Sequence, residues 1–232
     1  MRVRTLFAES VAATVAKRRG TVIRTIFEIR AVIDDCRSNV AEGITAGIEI
    51  WEMAVIPMLI YNAECWQDIS DRTVEELDKL QNMFIRCLMA VGTGCPIPLL
   101  LSETGLLTMK WRILEKKLLF LHHVSTLPDT ALAKEILQTQ NNLNLPGLAQ
   151  ECKDFLVKHD LTDPDRYSKT QWKRLVKGKI REQNKLHIID KVKTENYSKI
   201  NIDEIIEDDF KAKKYLSQLF VTEARDLKSK VK

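Results

Sequence analysis

Glycine and proline are scarce in this sequence, with eight and six residues among 232. No stretch shows the sustained alternation of apolar and polar residues that half-buried β-strands require, so helices are favoured over sheet. No apolar run approaches the roughly 18 residues of a membrane-spanning helix, and the N-terminal residues lack an apolar core of signal-peptide length. We therefore expect an intracellular protein, in the nucleus or the cytoplasm, that has no membrane partner.

Potential metal ligands are also few and scattered. The five cysteines are odd in number, and none is spaced as Cys-x-x-Cys. This argues against a disulfide framework and against a structural zinc site, which needs four ligands at short paired spacings. The sequence contains no Gly-x-Ser-x-Gly motif and no glycine-rich phosphate loop. We expect no metal and no other cofactor, and cysteines that pack as small apolar side chains.

One acidic pair, Asp34 and Asp35, imitates the paired aspartates of a polymerase turn because two apolar residues precede it. Phosphoryl transfer by two metal ions needs a further carboxylate from an upstream strand. The only acidic residues before Asp34 are Glu9 and Glu28, and the flanking sequence has a helical pattern. We therefore predict no catalytic residue in this chain.

Helical spacing of apolar residues recurs over most of the sequence. It predicts helices at about 8–33, from 38 or 39 to 66 with a kink at Pro57, from an N-cap at Ser70 to about 91, and at 107–126, 129–142 and 147–159. Gly92, Thr93 and Gly94 should end the third helix, and residues 95–98 should be extended, because a residue before proline avoids helical geometry. The 107–126 helix is apolar almost all round, so we expect it to be the most buried element.

Basic residues are concentrated in the last third of the chain. Residues 1–165 contain 18 Lys and Arg against 22 Asp and Glu, whereas residues 166–232 contain 18 against 10. Asp163, Pro164 and Asp165 mark a boundary. The fold class that we predict is all-α, with a helical bundle at 1–162 followed by a basic helical extension at 163–232, whose helices lie near 168–193, 202–218 and 221–231. A basic segment on an otherwise acidic chain suggests a polyanionic partner.

The helix near 168–193 carries cations spaced four residues apart, with Trp172, Val176 and Ile180 on its other side. Like charges at this spacing repel each other, and a phosphate backbone or an acidic partner would relieve the repulsion. A merely solvated face is the alternative. The candidate nucleic-acid-binding residues are Lys173, Arg174, Lys177, Arg181 and Lys185.

Five short stretches follow one another along the chain: IYNAECW at 60–66, LDKLQNMFIR at 77–86, PIP at 96–98, ETGLLTMKWRI at 103–113 and LLFLHH at 118–123. In this order they resemble the region behind the catalytic palm in the reverse transcriptases of non-LTR (LINE-like) retrotransposons, over about residues 10 to 190. In that family the region is a helical thumb that grips the template–primer duplex. The palm with its metal-binding aspartates precedes it, and a Cys/His-rich zinc-binding segment commonly follows.

The resemblance implies a fragment of an RNA-directed DNA polymerase that binds the backbone of an RNA/DNA duplex or of DNA and is not catalytic alone. Two alternatives stay open: a domesticated remnant that acts as a helical protein-interaction module, and a decayed remnant with no function of its own. Aromatic residues at helical spacings are predicted to pack in the core rather than to stack on bases, namely Trp51, Tyr61, Trp66, Trp111 and Phe120. For Tyr61 and Trp66 an alternative stays open, in which the ring packs and its polar tip reaches outward to combine both roles.

Overall fold

The computed structural model describes residues 2–35 and 40–194, and all regular secondary structure in these residues is helical. This confirms the predicted all-α class for the described part of the chain. The helices predicted near 202–218 and 221–231 lie outside the described residues. The α-helices are α1 (Arg2–Asp35), α2 (Val40–Ile50), α3 (Ile56–Leu59), α4 (Asp71–Met89), α5 (Ile97–Thr104), α6 (Met109–Ser125), α7 (Leu132–Asn142), α8 (Leu148–Lys158) and α9 (Lys169–Thr194).

Helices α1, α2 and α4 pack closely around a glycine. A Cβ atom at Gly47 in α2 would lie 2.5 Å from Leu88 Cδ1 of α4 and 3.1 Å from Ile33 Cδ1 of α1. The absence of a side chain at Gly47 therefore lets the three helices approach one another. The apolar side predicted for α1 is buried against these neighbours, through Val11, Val15, Val22, Ile26, Ile29 and Ile33.

The irregularity expected at Pro57 takes the form of a π-helical turn, Trp51–Val55, which joins α2 to α3 without a break. The N–H of Ile56 donates to the carbonyl of Trp51, and Pro57 lies in the first turn of α3, where its missing N–H leaves no donor unsatisfied. The predicted end of this helix at residue 66 is wrong. Helix α3 ends at Leu59: Ile60 leaves the helical conformation with φ −108° and ψ 33°, and Asn62 then turns left-handed with φ 60°.

Both ends of α4 show how caps are made. The predicted N-cap is confirmed, since the N–H of Thr73 donates to Ser70 Oγ at 3.2 Å. The predicted glycine stop is wrong: the helix ends at Met89, and Ala90 takes the left-handed conformation with φ 54°. An arginine of α1 helps to explain why α4 ends before the glycines. Arg30 Nη1 donates to the carbonyl oxygen of Cys87 at 2.8 Å, and so supplies a partner to a carbonyl group in the last turn of α4.

The segment predicted to be extended at 95–98 is extended only at its start. Pro96 is extended with ψ 128°, but α5 begins at the next residue and has Pro98 in its first turn. Proline is compatible with this position, because the first amides of a helix have no partner within it. None of the eight residues of α5 is exposed, whereas α6 exposes Lys110 and His123. The expectation that α6 is the most completely buried helix is therefore wrong.

Helix α6 nevertheless joins the two hydrophobic clusters of the described residues. Its Ile113 belongs to the cluster formed mainly by α1 to α5, and its Leu118 and Leu121 belong to the cluster shared with α7, α8 and α9. Helix α9 does the same through Ile188 and Trp172. A 3₁₀ turn, Pro164–Arg166, interrupts the helices where the boundary was predicted, yet α9 packs into the same core as the helices before it. The division of the chain at residue 163 stays a prediction.

Leu118 tests the central position of α6, because its side chain is fully buried. We expect Leu118→Ala to lower the free energy of unfolding by about 2–5 kcal/mol, the cost of lost apolar burial plus a residual cavity. Leu132→Ala is the matched control, since Leu132 is 68% exposed on α7. Denaturant unfolding measures both variants. A loss below about half a kcal/mol for Leu118→Ala would contradict the described packing of α6.

Candidate nucleic-acid interface

Helix α9 is the most basic element of the described structure. It carries nine Lys and Arg against two acidic residues, a balance of +7 over 26 residues. Its start is fixed by reciprocal hydrogen bonds between Ser168 and Gln171: the N–H of Gln171 donates to Ser168 Oγ at 3.4 Å, and the N–H of Ser168 donates to Gln171 Oε1 at 3.1 Å. The helix therefore begins at a defined residue despite the repulsion among its charges.

The N-terminal half of α9 is anchored to α6 by an aromatic contact. Trp172 is almost fully buried and its Nε1 donates to the carbonyl oxygen of Leu118 at 3.0 Å. The His122 ring stacks on Trp172 with centroids 5.4 Å apart. His122 Nε2 lies 2.9 Å from the carbonyl oxygen of Tyr167, which can only accept, so the proton is assigned to this nitrogen. This half of α9 is thus held in one orientation.

The C-terminal half of α9 is anchored at the N-terminus of α6. Asn184 Oδ1 accepts the N–H of Thr108 at 3.1 Å, and Asp78 Oδ1 of α4 accepts the N–H of Met109 at 2.9 Å. Burial raises the pKa of Asp78, while its bond from Met109 and the charge of Lys191 act in the opposite direction. The side chain of Thr108 itself makes no capping bond. Side chains of α4 and α9 therefore cap α6 from outside.

The five candidate residues lie on α9 but do not share one face. Lys173, Arg174 and Arg181 are exposed, whereas Lys177 and Lys185 are half-buried. Because a spacing of four residues exceeds one helical turn, the row winds around the helix toward its neighbour. Lys177 Nζ accordingly lies 3.8 Å from Glu115 Oε1 of α6. Lys173, Arg174 and Arg181 form no ion pair with any other described residue.

Two further groups of exposed cations lie outside the row predicted from the sequence. Lys191 and Lys193 are exposed in the last turns of α9, and Lys110 is exposed in the first turn of α6. Burial lowers the pKa of His187, Lys191 and Lys110 lower it further, and Asp190 opposes them. Positive charge from two helices therefore converges near His187. The spacing of His187 and Lys191 could have indicated part of this group, but Lys110 is brought there only by the tertiary fold.

Many cations elsewhere in the described structure have partners that hold the fold together. Arg18 caps the end of α3 by donating to the carbonyl oxygen of Leu59 at 3.1 Å. Three ion pairs also join residues distant in sequence: Arg112 with Glu52 at 2.7 Å, Lys117 with Glu151 at 2.6 Å and Arg19 with Glu76 at 3.5 Å. Cations of α1 and α6 thus stabilise helix ends and helix contacts, whereas several of those on α9 face solvent.

The placement of the acidic residues and cysteines bears on catalysis and metal binding. Asp34 and Asp35 are the last two residues of α1, so this pair ends a helix and does not form a strand hairpin. Within residues 2–35 and 40–194, no group of His, Cys, Asp or Glu is placed to hold a metal ion. Burial raises the pKa of the free thiol Cys152 to about 12, against the nearby charge of Lys117, so this thiol stays protonated. No helix in the described part of the chain is long and apolar enough to cross a membrane.

The aromatic residues divide between the core and the surface. Trp51 and Trp66 are buried, and the Trp51 ring stacks on Phe84 with centroids 4.2 Å apart. Tyr61 is 60% exposed, contrary to the prediction of core packing, and the guanidinium of Arg18 lies over its ring at 5.9 Å. The left-handed turn that follows α3 accounts for this exposure, because it carries Tyr61 away from the core.

A scan against protein-family models, a search of curated proteins and a search of solved structures each found no match. The resemblance to a reverse-transcriptase thumb therefore stays an expectation from the sequence stretches themselves. The structure shows what two of these stretches do locally. Asp78 and Gln81 of the stretch at 77–86 hydrogen-bond the backbone of Met109 and Leu107 in the stretch at 103–113, at 2.9 Å in both cases.

The lowered pKa of His187 should make the free energy of unfolding depend on pH. Its folded pKa is lowered, so the unfolded chain binds a proton first as the pH falls. The stabilisation from the neutral ring is complete above about pH 6.5 and is lost as the pH falls below that value. We expect the free energy of unfolding to fall between about pH 7 and pH 5, and His187→Gln to flatten this slope in denaturant unfolding.

Part of the slope should remain in the His187→Gln variant, because burial also lowers the pKa of His159. His123→Gln is the control, since His123 is an exposed histidine of α6. A slope that is identical in the wild type and in His187→Gln would contradict the lowering of the His187 pKa, which burial causes first and the nearby Lys191 and Lys110 reinforce.

Proposed function

We propose that this chain binds the phosphate backbone of nucleic acid through the exposed cations of α9. The observation that carries the proposal is the combination of charge and anchoring on this helix. Its balance of +7 is presented on a helix that is hydrogen-bonded from both of its halves, by Trp172 to the backbone of α6 and by Asn184 to the residue that precedes α6. Cations on a helix whose backbone is already fixed lose less backbone freedom on binding than those of a flexible basic tail would.

The spacing of the cations suits a backbone rather than bases. Lys173 to Lys185 spans twelve residues, or about 18 Å of helix, which is comparable to several phosphates at about 3.4 Å along one strand. Lysine is a compact point charge without the planar fork that reads guanine. Binding should therefore depend weakly on sequence and strongly on salt.

The stretches that resemble a non-LTR reverse transcriptase suggest which nucleic acid is bound. In the proposed role the helices form a thumb and connector that contact the template–primer, an RNA/DNA duplex or DNA, behind a palm that supplies the catalytic aspartates. The helical fold and the solvent-exposed cations of α9 support this role. The chain alone contributes binding and no chemistry.

One observation favours the rival proposal, a helical protein-interaction module. Helix α7 contributes Leu137 to the core and leaves Leu132, Ile136 and Leu143, at its end, exposed along one side. Apolar residues in such a row are typical of partner-binding surfaces. Stable complexes that form without nucleic acid, and that Ile136→Glu prevents, would favour this second function.

Neutralising the α9 row tests the first proposal. We expect the variant with Gln at Lys173, Lys177, Arg181 and Lys185 to bind an RNA/DNA duplex more weakly, because fewer phosphates are neutralised by the protein. The slope of log affinity against log salt should flatten, by about 0.9 for each phosphate that is no longer neutralised if the duplex is B-form DNA. Titrations by fluorescence anisotropy at several salt concentrations measure both quantities.

The matched control removes the same charge elsewhere. It carries Gln at four exposed cations on other helices, Lys17, Arg24, Arg72 and Lys153. The control should bind nearly as the wild type does. Equal losses in both variants would show a bulk charge effect, and affinity and slope unchanged in the α9 variant would contradict the proposal.

Primer extension tests the proposed absence of chemistry. We expect no extension of a primer–template by the isolated chain with deoxynucleotides and Mg²⁺ or Mn²⁺, because two-metal catalysis needs carboxylates that converge on the metals. The measurement is a gel assay of labelled primer. Extension that Asp34→Asn abolishes would show that the paired aspartates are catalytic.

A further inference from the structure

A glycine stands inside α9, where this residue type weakens a helix. The helix runs from Lys169 to Thr194, and Gly178 lies several residues from either end. Glycine is a poor helix former, because it has more backbone freedom to lose than alanine and leaves the backbone exposed to water. A glycine at such a position therefore calls for a reason in packing, in backbone conformation or in binding.

Neither packing nor backbone conformation within the described residues supplies this reason. At Gly47 a Cβ atom would lie 2.5 Å from Leu88 Cδ1, and Gly105 has a left-handed φ of 66°, so the structure itself favours glycine at both positions. Gly178 is exposed, and a Cβ atom there would meet nothing in the described structure within 4 Å. Its φ is not positive. Alanine would therefore fit at residue 178 and would favour the helix.

Arginines flank Gly178 on the surface of α9. Arg174 precedes it by four residues and Arg181 follows it by three, so the three residues lie one above another on the same side of the helix. Both arginines are exposed, and neither forms an ion pair with another described residue. They are separated by about 10.5 Å along the helix axis. The two arginines thus bracket a position from which no side chain projects.

The acidic residues near this position have cationic partners. Glu182 follows Gly178 by four residues and is exposed, but its Oε2 lies 3.0 Å from Lys179 Nζ. Glu115 of α6 likewise lies 3.8 Å from Lys177. The two flanking arginines therefore remain as cations whose charge no acidic residue of the described structure offsets.

The backbone of a nucleic acid can come closer to a helix at a glycine than at a residue that has a side chain. We propose that the sugar–phosphate backbone of a bound strand lies directly against α9 at Gly178, with Arg174 and Arg181 each holding a phosphate group on either side. Arginine donates two parallel hydrogen bonds to a phosphate, so these contacts fix the position of the strand as well as neutralise it. The inference rests on the proposed nucleic-acid binding, and it adds the point at which strand and helix approach most closely.

Alanine at residue 178 separates folding from binding. We expect Gly178→Ala to raise the denaturant midpoint, because alanine favours the helix and has room in the free protein. The same variant should bind an RNA/DNA duplex about fivefold more weakly, because its methyl group holds the strand away from the helix. Gly178→Gln, which leaves the net charge unchanged and projects further, should bind more weakly than Gly178→Ala. Denaturant unfolding and titration by fluorescence anisotropy measure the two quantities.

A glycine of α1 offers a matched control. Gly20 is also exposed inside a helix, and a Cβ atom there would also meet nothing in the described structure within 4 Å. Exposed cations accompany it as well, since Lys17 precedes it by three residues and Arg24 follows it by four. We expect Gly20→Ala to raise the denaturant midpoint in the same way, and Gly20→Ala and Gly20→Gln to bind the duplex as the wild type does.

The outcomes separate this inference from the proposed function. Weaker binding confined to the variants at residue 178, with the fold intact, supports the inference. Wild-type affinity in Gly178→Ala and Gly178→Gln, or an equal loss in the variants at residue 20, would overturn it and leave the proposed function standing. A lower midpoint in Gly178→Ala would also overturn it, because the glycine would then serve the fold. A wild-type chain that binds no duplex would overturn both.

Discussion

The position of α9, and with it the direction in which its cations point, depends on hydrogen bonds to one short backbone segment, residues 107–109. Gln81 of α4 donates to the carbonyl of Leu107, and Asn184 of α9 accepts the N–H of Thr108. The first amides of a helix have no partner within it, and here Asn184 of α9 accepts the N–H of Thr108 and Asp78 of α4 accepts the N–H of Met109. Asn184 is fully buried, so it cannot exchange its partner for water without exposing the core. Helices α4, α6 and α9 are thereby fixed relative to one another.

The cations of the described residues fall into two groups, those that form contacts within the fold and those that face solvent on α9. Arg18 and Arg30 of α1 donate to carbonyl groups at the ends of α3 and α4, and Lys117 forms a largely buried pair with Glu151. Removing such a buried partner would leave a charge or a carbonyl group uncompensated, so these cations are structural. The exposed cations of α9 contribute little to the fold and repel one another. That repulsion favours an anionic partner such as the phosphates of a duplex.

Much of the helical structure could be predicted because apolar residues recur at helical spacing and because Ser70 is a good N-cap. The errors have local causes. Pro98 suggested an extended segment, yet a proline in the first turn of a helix removes no hydrogen bond, so α5 was missed. The end of α4 was assigned to glycines, but Arg30 and Ala90 end it earlier. The approach of Lys110 to His187 depends on how α6 and α9 are packed, which no single-sequence pattern reveals.

Lysine footprinting tests most directly whether α9 is the surface that meets nucleic acid. Acetylation of the folded chain, with and without an RNA/DNA duplex, reports by mass spectrometry how accessible each lysine is. Protection should be concentrated on Lys173, Lys177 and Lys185, while Lys17 and Lys153, exposed on α1 and α8, should react as before. Protection spread evenly over all lysines, or concentrated on α1 or α8 while α9 stays reactive, would contradict the assignment of α9 as the binding surface.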